Sequence, residues 1–138
     1  MTQSTPELEA RLIASVISEN SSEIKHLISS GVNINARDSL GFSALMWAVT
    51  RNDVALAQLL INNRADVNAK TDYGYTILMN ASQLGYFEMV KLLISAGANP
   101  IDKCDEGKTA LNYAEESQKA KKVAEFLKNN GKRKSSWW

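Results

Sequence analysis

Apolar residues at Leu8, Leu12, Ile13, Val16 and Ile17 fall on one face of a helix, and Thr5 with Pro6 supplies a start, a hydroxyl cap followed by a residue whose missing N–H is harmless in the first turn. The polar run Glu19-Asn20-Ser21-Ser22 interrupts the pattern, after which Ile24, Leu27 and Ile28 open a second helix that stops at Gly31. Later second helices are apolar on nearly every side. One carries Val54, Leu56, Leu59, Leu60 and Ile61, the other Phe87, Met89, Val90, Leu92, Leu93 and Ile94, as a helix sandwiched between neighbours requires.

The pairs recur at a fixed interval. Gly74, Tyr75, Thr76, Leu78 and Ala81 lie 33 residues after Gly41, Phe42, Ser43, Leu45 and Ala48, and 33 before Gly107, Lys108, Thr109, Leu111 and Ala114. The first pair keeps the phase, since Leu12 precedes Leu45, and Gly31 precedes Arg64, by the same 33. Self-similarity at this period signals stacked units, none of which buries its apolar face alone.

The three copies Gly41-Phe42-Ser43-Ala44-Leu45-Met46-Trp47-Ala48, Gly74-Tyr75-Thr76-Ile77-Leu78-Met79-Asn80-Ala81 and Gly107-Lys108-Thr109-Ala110-Leu111-Asn112-Tyr113-Ala114 resemble the Gly-x-Thr-Pro-Leu-His-x-Ala core of the ankyrin repeat. The resemblance spans Leu8 to Gly131. It implies an all-α solenoid of about four stacked helix-turn-helix units with β-hairpin-like loops, forming one domain: a cap repeat over 5–36, repeats over 37–69 and 70–102, a cap repeat over 103–131, and a basic tail over 132–138. Ala44, Ile77 and Ala110 replace the family's proline, and Met46, Met79 and Asn112 its histidine, so side-chain hydrogen bonds between turns are expected to be lost. Glu23 stands where the inner units have Leu56 and Met89, and Lys128, once one inserted residue is allowed in the last unit, where they have Ile61 and Ile94; charges there predict outward faces that end the stack.

Turn chemistry follows the period. Gly31, Gly97 and Gly131 are expected to close second helices in the left-handed conformation, which glycine adopts without a Cβ clash. Arg64 takes that place in the second unit and is expected to be strained. The segments Asn35–Leu40, Asn68–Tyr73 and Ile101–Glu106 are expected to project as fingers.

Length and charge narrow the function. The 138 residues are 44% hydrophobic and 22% charged with net charge +1, a globular composition without the field that draws nucleic acid or anionic membrane. No apolar run approaches a membrane span and the N-terminus lacks a leader pattern, so a cytoplasmic protein is expected. No catalytic constellation or metal set appears and no cofactor is expected. His26 reads as a packed or half-exposed helix residue, Cys104 as an exposed thiol without a partner. Gly107-Lys108-Thr109 mimics the end of a phosphate loop, but Asp102 occupies the place of its first glycine.

Function is then sought at positions the repeat leaves free. The resemblance places a concave face on the fingers and first helices, with Arg37, Leu40, Phe42, Trp47 and Arg51 from one unit, Lys70, Asp72, Tyr73, Tyr75, Asn80 and Leu84 from the next, and Asp105, Lys108 and Tyr113 from the last. Aromatic rings beside arginine dominate interface energetics. Leu40, Phe42, Tyr73 and Tyr75 are expected to be exposed at finger tips, with Trp47, Tyr73 and Tyr75 as anchors; packing of Trp47 and Tyr113 against a finger is the plainer alternative. The expected partner is another protein, bound by a chain that is monomeric when free, and the resemblance extends to small bacterial inhibitor or immunity proteins. The alternative is a nucleic-acid-associated or nuclear adaptor using Lys119, Lys121, Lys122, Lys128 and Lys132-Arg133-Lys134; a solvated cap explains the same lysines. The sequence assigns no role to Trp137-Trp138.

Overall fold

The structure is a computed structural model that describes residues 4–135, with side chains described as far as residue 130. Among the described residues it forms eight helices and no strand: α1 (Pro6–Ile17), α2 (Ser21–Ser29), α3 (Ala44–Thr50), α4 (Val54–Asn62), α5 (Ile77–Leu84), α6 (Phe87–Ser95), α7 (Ala110–Glu116) and α8 (Lys121–Ser135). They form two compact units that meet between Asp66 and Val67.

Local chemistry sets the helix starts. Thr5 caps α1, accepting from the Leu8 amide at 3.3 Å, and Ser43, Thr76 and Thr109 cap α3, α5 and α7, each accepting from the amide three residues on. The residue three on also bonds back. The Asn112 carboxamide oxygen accepts from the Thr109 amide at 2.9 Å, while the Met46 and Met79 sulfurs stand in the same place, 3.5 and 3.3 Å from the Ser43 and Thr76 amides. The expected loss of these bonds is therefore partial: a thioether is a weak acceptor, whereas the asparagine is a full one.

Left-handed residues recur with the same period. Glu19, Asn52 and Gly85 (φ 60, 56 and 73) join first helices to second, and Gly31, Arg64 and Gly97 (φ 86, 73 and 100) close second helices. Arg64 is thus left-handed, as its phase implies. Gly131 departs from expectation. It lies within α8, which continues to Ser135; a glycine inside a helix costs only about 1 kcal/mol relative to alanine, too little to end it.

In the first unit α1 packs on α2 and α3, and α3 on α4. Leu12, Val16, Ile24, Leu27, Leu45, Val49 and Leu60 are almost wholly buried, each stabilising by about 1.5–3 kcal/mol relative to exposure. Asn35 ties the pairs together: its amide donates to the Arg64 carbonyl at 3.3 Å and its oxygen accepts from the Asp66 amide at 2.8 Å. Contrary to the expectation of a sandwiched helix, α4 buries only Ala57 and Leu60. Leu56 and Leu59 line a groove with Ile24 of α2, and Val54 is 37% exposed. Glu23 of α2 pairs with Arg11.

In the second unit α5 packs on α6 and α7, and α8 on α6 and α7, around Leu78, Met79, Met89, Val90, Leu93 and Val123. Phe87 meets Phe126 edge-on at 5.8 Å. Asn68 repeats the tie of Asn35, donating to the Gly97 carbonyl at 3.1 Å and accepting from the Asn99 amide at 2.8 Å. Ile101 holds the next place in that series and is 71% exposed. Lys128 is exposed and pairs with Glu115 at 3.5 Å.

Gly85 is required by a close approach as well as by its φ. A Cβ there would stand 2.5 Å from the Lys119 carbonyl oxygen, a backbone atom that cannot rotate away. Gly85→Ala is expected to destabilise by about 2–4 kcal/mol, from left-handed strain plus overpacking, read as a fall in the urea midpoint. Arg64→Gly has the opposite sign. Relief of about 1 kcal/mol of left-handed strain should raise the thermal midpoint by a few degrees, and an unchanged midpoint would show that the Arg64 side chain makes a compensating contact.

Candidate functional site

The fingers are tight turns fixed by side chains. In the first unit an antiparallel bridge joins Arg37 to Ser43, so the finger begins two residues later than the sequence indicated. The Asp38 amide donates to the Phe42 carbonyl at 2.9 Å. Asp38 Oδ1 accepts from the Leu40 and Phe42 amides at 2.9 and 3.0 Å, and Oδ2 from Trp47 Nε1 at 2.8 Å. One carboxylate thereby shapes the tip and holds the indole. The Trp47 ring lies 5.3 Å from that of Phe42, leaving Leu40 66% exposed above them. Arg37 and Arg51 are exposed, and Arg51 pairs with Glu19 at 3.1 Å. Beside this finger, Ile13, Ala14 and Ile17 of α1 and Arg37, Asp38 and Ser39 line a recess. The sequence reading missed it, although Ala14 falls 33 before the chosen position Trp47.

In the second unit Thr71 does the work of Asp38, its hydroxyl accepting from the Tyr73 and Tyr75 amides at 3.4 and 3.3 Å. The Asp105 amide donates to the Tyr73 carbonyl at 2.9 Å, which ties the third finger to the second. Tyr73 stands 76% exposed. Tyr75 and Tyr113 meet edge-on at 5.3 Å. The Tyr75 hydroxyl donates to Gln83 Oε1 at 2.6 Å, and that of Tyr113 lies 3.3 Å from Cys104 Sγ. Lys108 bridges Glu116 at 3.1 Å and Glu106 at 3.8 Å, with its ammonium 5.5 Å from the Tyr113 ring centre. Lys70 pairs with Asp102 at 3.9 Å. Asp72 and Asp105 are exposed, Asn80 is half-buried, and Leu84 is 36% exposed.

Several expectations change. Phe42 and Tyr75 are half-buried rather than exposed, because each ring rests on the first-helix aromatic at Trp47 or Tyr113. Those two pack against fingers, as the plainer reading had it. Cys104 is buried at 8% exposure, covered by the Tyr113 side chain, and is no exposed thiol. His26 is exposed on α2. The pairs Asp38–Trp47 and Cys104–Tyr113 occupy equivalent places two periods apart, so the repeat itself held the signal that these rings reach down to their fingers.

Electrostatics follow the packing. Burial, then the charge of Cys104, pushes the Tyr75 phenol up to about 12, and the bond with Cys104, then burial, pushes the Tyr113 phenol higher still. The same bond from Tyr113 lowers the Cys104 thiol. The Lys108 ammonium is raised by its hydrogen bond to Glu116. Among the described residues no group of three His, Cys, Asp or Glu could hold a metal ion, and no helix is long and apolar enough to cross a membrane. Lys119, Lys121 and Lys122 are exposed; the side chains of Lys132, Arg133 and Lys134, and all of Trp137 and Trp138, lie outside the described residues.

Within each unit helix pairs pack on one another, and along the chain they recur at a fixed period with a finger before each later pair, which defines a repeat scaffold. The family model for ankyrin repeats, in three copies, matches residues 12–104 and 73–136, and the chain belongs to the ankyrin-repeat family. Ankyrin repeats are generally protein–protein interaction modules and typically non-enzymatic. No curated protein matches the chain significantly.

The raised Tyr75 value is testable. In a phenolate absorbance titration Tyr75→Phe should remove a component with its midpoint near pH 12. A phenol raised in the folded state stabilises fully below its unfolded value near 10 and loses that contribution as pH rises toward 12. The fall in melting temperature across that window should therefore be shallower in the variant.

Proposed function

We propose that this chain binds a partner protein through its finger tips and adjoining first-helix side chains, with Leu40 and Tyr73 as lead contacts. Phe42, Trp47, Tyr75 and Tyr113 form the braced platforms beneath, and Arg37, Arg51, Lys70, Asp72, Asn80, Leu84, Asp105 and Lys108 tune specificity at the rim. One observation carries the reading: Leu40 and Tyr73, 33 residues apart at equivalent finger positions, are 66% and 76% exposed on turns fixed by hydrogen bonds. Large side chains held out on preorganised turns lose little entropy on binding, and a partner that covers them gains their apolar area. The platforms make the tips rigid; the internally paired Lys108 and Arg51 favour contact by shape over contact by charge.

The finer role within this reading is that of an inhibitor, which holds one partner tightly, as opposed to an adaptor that bridges two. Affinity capture from the native cell followed by mass spectrometry separates these by the number of stoichiometric partners. With the captured partner in a calorimetric titration, Leu40→Ala and Tyr73→Ala should each weaken binding by about 1–2 kcal/mol, a 5- to 30-fold loss, with unchanged melting. Trp47→Ala should weaken binding and also lower the melting temperature, since it strips Asp38 of a part-buried donor. Wild-type affinity in both tip variants would remove the basis for the proposal.

A further inference from the structure

We draw no further inference here: the strongest candidate, the exposed tips of the second and third fingers where Tyr73 stands with Asp72 and Asp105, carries nothing because nothing in the structure shows what covers it and the exposed Lys103 on the same finger leaves its charge without a clear complement.

Discussion

A pair of short helices cannot bury its own apolar face, and closing that face against the next pair is the constraint on which the rest of this structure depends. Leu12 and Val16 of α1 are almost wholly buried in a unit where α1 packs both on α2 and on α3, which brings Leu45 and Val49 into the same core. Helices of seven to nine residues have marginal stability in water, so tertiary burial, at about 1.5–3 kcal/mol per large side chain, decides whether they exist. Asn35 and Asn68 set the register of that burial. Each binds both a carbonyl and an amide at the end of the following second helix, and such paired bonds, each worth about 1 kcal/mol net, are lost by small slips.

The proposed binding surface is a consequence of the same register. In the first and third fingers a residue at the finger base meets one on the first helix, and that meeting point is filled differently: Asp38 with Trp47, Cys104 with Tyr113. Rings that would be sticky if free are thereby tilted onto one another, Phe42 on Trp47 and Tyr75 on Tyr113. The surface that remains exposed is narrow, consisting chiefly of the tips. Binding as proposed gains from this division, because braced rings hold rigid the tips that a partner would cover.

Much of the fold was legible in the chain. The 33-residue recurrence of Gly-x-Ser/Thr-x-Leu located the first helices, and the phase of Arg64 with Gly31 and Gly97 foretold its left-handed backbone. These succeed because they depend on local chemistry repeated in register, which one sequence displays in several copies. Gly131 failed for the complementary reason: glycine permits a left-handed turn without requiring one, and here the helix runs on to Ser135. The candidate site was less legible. Exposure of a ring depends on what its rotamer leans against, so Phe42 and Tyr75 looked free in sequence and are half-buried in space.

By itself the sequence determined the helix pairs, their period, their caps and the positions left variable on fingers and first helices, because each rests on contacts within about four residues or on exact recurrence. Tertiary structure alone decided that Cys104 is buried beneath Tyr113, that Gly85 must stay small against the Lys119 carbonyl, and that Leu40 and Tyr73 alone among the chosen finger and first-helix aromatics and leucines stand more than half exposed. Those facts come from atoms distant in the chain brought within van der Waals reach, and spacing along a sequence carries no record of such distances.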